Sequence, residues 1–355
     1  MQKLCMDYSA YKMSIISHFT DLSIALPQYG NSWKSSFYAD VCEAARTNSY
    51  IETYGNKADT LHKYITFSEE KALKKAYETE VRFLLKRLNL RRVELAIDGK
   101  KDLYYGKNGS INVRGIVPEH GADEVWEYIV LSTIHPVKLP LMAIRYPMGA
   151  DLAKCCIELL EYARSLPIII EKILFDRGFY NGHLIDYLES KKQGKTLPYL
   201  IFVPKNEAVE RYASELEHNF GAFKHLVKYN REKTVWEAPT TIVICKNVGM
   251  NEKGEPYDWY FATNLKPSYS LVKQYRRRWN IETGFRIMEK GKIMTNSNNP
   301  VVRLFYFLLR ALLSAIWVLC NIQRIHMTFK RFLKEAEIDL RRFEVNKPPA
   351  IKPIY

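Results

Sequence analysis

Several signals that define common protein classes are missing from this sequence. The six cysteines include no CxxC pair and no zinc spacing, and the eight histidines form neither an HxH nor an HExxH pattern. A zinc site or a histidine-rich metal site is therefore not expected. The cysteine usage fits a reducing compartment, and the start MQKLCMDYSAYKM lacks the apolar region of a secretory signal. We expect a cytoplasmic protein without internal repeats.

A hydrophobic run long enough to span a bilayer is also missing. The most apolar stretch, VVRLFYFLLRALLSAIWVLCNIQ (301–323), is interrupted by Arg303 and Arg310, which leaves 13 uncharged residues at 311–323. A membrane-spanning helix needs roughly 18–20 apolar residues. The pattern favours a buried core helix over a membrane segment.

The sequence does contain enough apolar residues for a packed core and a large excess of positive charge. Its 355 residues are 47% hydrophobic and 13% aromatic, which predicts one large domain or two to three ordinary ones. The formal net charge is +14. This favours a polyanionic partner, either nucleic acid or an anionic membrane surface.

Periodicity divides the chain into a helical start and a mixed α/β remainder. Residues 1–90 are mainly helical and nearly neutral, with 12 basic against 10 acidic residues; DNA-end binding by this region is a weak hypothesis. Five apolar runs then predict strands, three with short connections and two in β-α-β units, so a mixed sheet with helices on both faces is expected. The resulting division is 91–204 and 269–325 for the α/β domain, 205–268 for a β-rich insertion, and 326–355 for a helical and Pro-rich tail.

The stretch LVKQYRRRWNIETGFRIMEKGK (271–292) predicts one long amphipathic helix. At about 100° per residue, one arc carries glutamates together with cationic and aromatic residues: Tyr275, Arg278, Glu282, Arg286 and Glu289. A neighbouring apolar arc with Ile281 and Phe285 can pack on a core. Such a face suits a polyanion with its metal ions, and a solvated charged face is the alternative.

Two further carboxylates are candidates to join Glu282. VELAID and PIIIEKILFD are predicted strands that end in Asp98 and Asp176, and ligands of open α/β sheets bind at the carboxyl ends of strands. Three carboxylates without histidine or thiol favour Mg²⁺ or Mn²⁺. Two such ions support phosphoryl transfer. Asp102 is an alternative first ligand; Asp98 is preferred because it closes the predicted strand.

The segments ELAIDGK, ILFDRGFYNG and YRRRWNIETGFR resemble the three catalytic blocks of DDE transposases from prokaryotic insertion sequences, of the IS-four type. The resemblance extends over roughly residues 93–325. The intervals of 78 and 106 residues between the acidic positions agree with it, and the longer one matches the β-strand insertion of that group. Tyr275, Arg278 and Glu282 fit the third-block pattern Tyr-x2-Arg-x3-Glu-x6-Lys.

The resemblance implies an RNase H-like catalytic domain with a mixed five-stranded sheet, flanking helices, a β-rich insertion before the last catalytic helix, and a helical N-terminal region. Asp98, Asp176 and Glu282 would hold two Mg²⁺ ions (Mn²⁺ as a substitute). DNA contacts are expected from Tyr275, Arg278, Arg277, Arg286, Lys290 and Trp259. The partners would be transposon ends and target DNA, bound by a homodimer in a synaptic complex at the nucleoid.

Two features of the match leave alternatives open. The signature lysine position is Glu289, and the neighbouring Lys290 could take over the phosphate contact if the helix ends or bends there. An aromatic residue of the insertion is expected to stack on a flipped base, with Trp236 and Trp259 as candidates by location. The alternatives to a cut-and-paste transposase are a metal-dependent nuclease without strand transfer and a non-catalytic DNA-binding derivative.

Overall fold

The structure, a computed structural model, describes residues 31–55, 57–106, 112–191, 194–231, 234–250, 254–322 and 326–345. The contacts divide the chain into two compact units. One is Leu90–Thr283, and the other combines the residues up to Asn89 with those from Gly284 onward. The first thirty residues and the Pro-rich end of the predicted tail lie outside the described ranges.

The described part of the chain contains ten α-helices and nine strands. The helices are α1 (Asn31–Thr47), α2 (Lys57–Phe67), α3 (Glu70–Arg87), α4 (Leu152–Ser165), α5 (Gly182–Glu189), α6 (Glu207–Ser214), α7 (Leu271–Arg276), α8 (Trp279–Glu289), α9 (Pro300–Ile322) and α10 (Phe329–Val345). The strands are β1 (Arg92–Tyr104), β2 (Arg114–Glu119), β3 (Ala122–His135), β4 (Leu139–Arg145), β5 (Ile169–Phe175), β6 (Tyr199–Phe202), β7 (Phe220–Arg231), β8 (Thr234–Met250) and β9 (Pro256–Thr263).

The unit Leu90–Thr283 is built on one mixed sheet. Its order is β2-β3-β1-β5-β6-β9-β8-β7, with β4 also paired to β3. Strand β1 is antiparallel to β3 and parallel to β5, β5 is parallel to β6, and β3 is antiparallel to β4. The series β4-β3-β1-β5-β6 is the predicted RNase H-like mixed sheet with flanking helices, so the predicted fold class is confirmed.

The strands of the predicted insertion do not form a separate sheet. Strand β9 pairs antiparallel with β6, and β8 and β7 continue outward from it. The edge of β6 thus gains a hydrogen-bonded neighbour instead of being left open. These three strands, together with β2 paired to β3, bring the sheet to nine strands where the core alone predicts five.

Two local predictions about the acidic blocks were wrong. Asp98 does not close a strand, because β1 continues to Tyr104. Asp98 itself pairs with Val130 of the long antiparallel strand β3, and the pairing continues to Tyr104. What ends at this point is the parallel pairing with β5, whose last pair is Ile97 with Phe175. The carboxyl end of the parallel pair, not of the strand, defines the position of Asp98.

The predicted single helix at 271–292 was also wrong, because it is divided into α7 and α8. Between them the backbone makes tighter three-residue bonds: the N–H of Arg277 donates to the carbonyl of Gln274 (3.1 Å) and that of Arg278 to Tyr275 (2.8 Å). The turn is of the 3₁₀ type, which is common where helices join. It displaces Arg278 and Glu282 from the regular arc expected for one continuous helix.

The second unit is helical and has α9 at its centre. Residues of α9 from Leu304 to Ile316 are all buried, including the guanidinium-bearing Arg310. Among the described helices, α9 is the one long and apolar enough to cross a membrane, and 78% of its most apolar window is buried within the protein. The prediction of a core helix is confirmed by this burial.

Candidate active site

Two rows of side chains, each with a charged residue at both ends, lie on one face of the sheet, on neighbouring parallel strands. Glu94 of β1 is paired in register with Lys172 of β5, and two residues further Ala96 is paired with Leu174. Because side chains alternate along a strand, Asp98 and Asp176 continue these two rows on the same face. Asp176 directly follows the end of β5. The sheet therefore brings the first two predicted carboxylates together at its carboxyl edge.

Arg278 joins the third predicted carboxylate to this edge. Its Nη1 donates to Oδ2 of Asp98 at 2.8 Å, and its Nη2 donates to Oε1 of Glu282 at 2.6 Å. The Arg278 side chain is only 7% exposed, against 18% for Asp98 and 42% for Glu282. One buried guanidinium thus bridges two carboxylates, in the short charge-assisted geometry that is strongest.

The electrostatics of Asp98 show that the three carboxylates lie within reach of one another. Burial raises the pKa of Asp98 to about 6, while Arg278 and the backbone N–H of Gly99 act in the opposite direction. The negative charges of Asp176 and Glu282 are smaller contributions to this raised pKa. A carboxyl that keeps a high pKa beside an arginine is one that a further positive charge would stabilise in its ionised form.

Tyr275 is the group nearest to the second aspartate. Its hydroxyl donates to Oδ1 of Asp176 at 3.3 Å, and its ring is tilted against Phe202 and Phe261 at centroid distances of 5.5 and 5.2 Å. Burial raises the pKa of Tyr275 above its ordinary value. The phenol therefore stays neutral and remains a hydrogen-bond donor at the site.

The position of α8 depends on residues that sequence reasoning missed. The Nδ2 of Asn280 donates to the carbonyl of Ile134 at 3.1 Å. Ile134 is the extra residue of β3 at a register shift, because Glu94 pairs with His135 and Leu95 with Thr133. A bulge leaves such a backbone group unpaired in the ladder. The sequence signal that could have identified residues of this kind is a charged side chain within a buried strand, above all Glu94 of β1.

The donor set fits a divalent cation, although the carboxylates are not gathered around one point. Among the residues that the structure describes, no three His, Cys, Asp or Glu side chains form a group that could hold a metal ion. Asp98 and Glu282 instead share Arg278. Their oxygens, with those of Asp176, are the hard ligands that Mg²⁺ and Mn²⁺ prefer. Asp102 lies four residues further along β1, roughly 13 Å at the usual strand rise, so Asp98 is the better candidate.

The two predicted base-stacking tryptophans differ in exposure. Trp259, on β9, is 8% exposed and packs edge-on against Phe202 and Tyr275. Trp236, on β8, is 48% exposed. Trp259 is thus mostly packed among other aromatic rings, while Trp236 is more accessible, and a stacking role for either residue stays a prediction. Trp259 also lines an open cavity of about 700 Å³ that includes Arg177 and Lys205.

The remaining predicted DNA-binding residues are at the surface. Arg286 and Lys290 are exposed, and Arg277 is partly exposed with a contact to Glu94. Glu289, which replaces the expected lysine, has Oε2 at 3.9 Å from Nη1 of Arg310. The charge at position 289 thus faces a buried arginine of its own unit.

Comparison with known proteins agrees with this geometry. Residues 154–314 match the family model of the transposase DDE domain, a segment that includes Asp176 and Glu282. No curated protein matches the sequence. Among solved structures, the chain resembles piggyBac transposase in the cryo-EM structure of its synaptic complex with hairpin DNA, with a TM-score of 0.61 and 11% identity over 98% of this chain and 84% of that one. The chain therefore has a transposase-like fold, and in sequence its residues 154–314 are similar to the transposase DDE domain.

Proposed function

We propose that this chain is a DNA transposase that cleaves the ends of its element and joins the freed 3′-hydroxyls to target DNA. The observation that carries the proposal is that one buried arginine, Arg278, contacts both Asp98 and Glu282 at the carboxyl edge of β1 and β5, where Asp176 follows β5. The order and spacing of the sequence blocks and the DDE-domain match support it. The IS-four type and a prokaryotic source belong to the same proposal.

In this proposal the three carboxylates hold Mg²⁺, with Mn²⁺ as a substitute. When bound, the metal would activate a water or a 3′-hydroxyl and stabilise the leaving oxygen. Metal binding through Oδ2 of Asp98 and Oε1 of Glu282 would require Arg278 to give up both of its contacts. A DNA phosphate is then the natural new partner of the guanidinium, because arginine recognises phosphate and carboxylate through the same planar fork. The hydroxyl of Tyr275 is a neutral donor for a neighbouring phosphate oxygen.

The DNA itself is expected to bind through the exposed cations. Arg286 and Lys290 are exposed, and the net charge of +14 favours a polyanion. The cavity with Arg177, Lys205 and Trp259 is large enough for a nucleotide and begins one residue after Asp176. The piggyBac structure is a synaptic complex with hairpin DNA. We propose that this chain likewise brings the two ends of its DNA element together in a synaptic complex. The functional assembly would then be a homodimer.

The direct test is cleavage of the DNA that flanks the gene. Wild-type protein with Mg²⁺ is expected to cut duplexes that carry the terminal inverted repeats and to join them to a plasmid. Asp176→Ala should abolish both reactions while DNA binding persists. Asp123→Ala, a change at an exposed position of β3, is the matched control and should retain both. Undiminished cleavage by the Asp176 variant would refute the proposed site.

Two narrower functions are separated by the same assay. A metal-dependent nuclease would cut the ends without joining them to the plasmid. A non-catalytic DNA-binding derivative is favoured by one observation, the glutamate at position 289 where the signature has lysine. It would bind DNA equally well with Mg²⁺ or EDTA and would not cut it.

A further inference from the structure

We infer that Glu94 and Lys172 are a positioning pair, which holds the joint between α7 and α8 so that Arg278 and Glu282 reach Asp98. The catalytic part of this inference rests on the proposed function. The geometric part does not, because it concerns only how one face of the sheet fixes the helix that carries Glu282.

The contacts form a small buried cluster. Glu94 is 2% exposed; its Oε1 accepts a hydrogen bond from Nη1 of Arg277 at 2.5 Å and lies 3.2 Å from Nζ of Lys172. The same Nζ donates to Oε1 of Gln274 at 2.6 Å. Glu94 and Lys172 are cross-strand neighbours on β1 and β5. The sheet thus holds both ends of the turn Gln274–Arg277.

This cluster is poorly arranged for stability. Both cations contact the same oxygen of Glu94, and within the described part of the chain its buried Oε2 has no hydrogen-bond partner. An unsatisfied buried polar atom costs about 1–3 kcal/mol. Replacing a buried ion pair by apolar residues of similar volume is often neutral or stabilising. The value of the pair therefore lies in the geometry it imposes.

That geometry passes directly to the proposed site. Arg277 and Arg278 are consecutive and lie in the same tight turn, so one arginine contacts Glu94 while the next contacts Asp98, four residues further along β1. The turn's backbone bonds leave little freedom between them. If Arg277 loses its anchor, Arg278 and Glu282 move with the turn. This assigns Arg277 an internal role in addition to the predicted DNA contact.

The test replaces the pair without leaving a lone buried charge. Glu94→Met with Lys172→Met is compared with Arg92→Met with Glu171→Met, which removes an exposed ion pair (2.9 Å) between the same two strands. The first double variant should keep the unfolding free energy of the wild type in urea. Arg278→Met is added to the wild-type reference and to both double variants, so that the guanidinium no longer competes for the carboxylates. In this background the Mn²⁺ affinity of the full chain without DNA should be lower by about 10-fold or more in the Glu94/Lys172 variant than in the reference, as for other residues that orient metal ligands.

Single-turnover cleavage supplies the second measurement. At saturating DNA and Mn²⁺ the Met/Met variant should be slower by about 10²-fold, the usual effect of a displacement near 1 Å. The surface control should match the wild type in every assay. If the Met/Met variant does not fold, Glu94→Gln, which keeps the shape but removes the charge, is measured in the same way.

The outcomes separate this inference from the proposed function. Cleavage by the wild type together with an unchanged rate and Mn²⁺ affinity in the Met/Met variant would overturn the positioning role alone. If the wild type neither cleaves nor binds Mn²⁺, the proposed function fails. Crystal structures then decide the geometry: a contact between Arg278 and Asp98 that persists in the variant would overturn the inference, and its loss would support it.

Discussion

Arg278 is expected to compete with metal ions for the carboxylates, so its removal should strengthen metal binding while it weakens catalysis. The perturbation is Arg278→Met, which keeps most of the length of the side chain and removes the guanidinium. In the present structure Nη1 and Nη2 occupy Oδ2 of Asp98 and Oε1 of Glu282. A cation that coordinates these oxygens must displace both contacts.

The magnitude follows from those two hydrogen bonds. Each charge-assisted bond contributes about 1.5–3 kcal/mol net. The displaced guanidinium regains part of this by hydration, so a cost of about 3 kcal/mol remains, which corresponds to about 10²-fold in a dissociation constant. Arg278→Met should therefore bind Mn²⁺ about 10²-fold more tightly than the wild type when DNA is absent. Cleavage should fall by about 10²–10³-fold, as when one donor to a reacting oxygen is lost.

The assay is a titration of free Mn²⁺, followed by electron paramagnetic resonance, on the full chain without DNA. In EDTA the variant should also be less stable by about 3 kcal/mol, because two carboxylates lose their buried partner. Mn²⁺ should restore that stability through its binding to the folded state. Arg276→Met is the control, since Arg276 is exposed on α7 beside the ring of Trp259, and its Mn²⁺ affinity should equal that of the wild type.

A Mn²⁺ affinity for Arg278→Met that is equal to or weaker than the wild-type value would refute the competition. It would mean that the metal binds without displacing the guanidinium, or that Arg278 is needed to hold the carboxylates in place.

Three further predictions follow from the structure. The pKa of Asp98 is raised from 3.8 to about 6 in the folded protein, so between these pH values the folded chain holds a proton that the unfolded chain has released. The metal-free unfolding free energy should therefore fall by up to about 3 kcal/mol as the pH rises from 4 to 6. Urea titrations in EDTA at several pH values measure this fall. Glu289→Lys places a cation beside the buried guanidinium of Arg310 and should lower the unfolding free energy by about 1–2 kcal/mol. Gly182→Ala puts a methyl group 2.8 Å from Cβ and Cδ1 of Tyr229, which should destabilise by about 1–3 kcal/mol in thermal melts.

Each of these has a control that isolates the stated cause. Asp98→Asn should lack the fall in stability between pH 4 and 6. Glu289→Gln should cost less than Glu289→Lys if repulsion, and not the lost contact alone, is responsible. Gly115→Ala adds a methyl group with no neighbour within 4 Å, and its melting temperature should stay near that of the wild type. An equal loss in the Gly115 and Gly182 variants would contradict the packing argument.

Strand and helix periodicity are local properties, so the sequence could predict the elements that carry the three candidate carboxylates. Apolar runs ending at Asp98 and Asp176 correctly predicted the two neighbouring strands, and the amphipathic pattern predicted a helix around Glu282. It could not show that β1 continues past Asp98, because that depends on the length of the partner strand β3. Nor could it show the break between α7 and α8, which is fixed by Glu94 on a strand more than 180 residues earlier.

Glu289, which departs from the signature lysine, is understood from the charged side chains around it. From the sequence alone, Glu289 suggests a lost phosphate contact and a degenerate enzyme. In the structure its carboxylate faces Arg310, which is 2% exposed and lies 4.3 Å over the ring of Phe307. A lysine at 289 would add a second cation next to a charge that is already buried. The carboxylate at 289 thus balances the charges of Arg310 and of Lys292, whose Nζ lies 3.6 Å from Oε1. Lys290, exposed at the next position, stays the predicted cation for the proposed DNA contact.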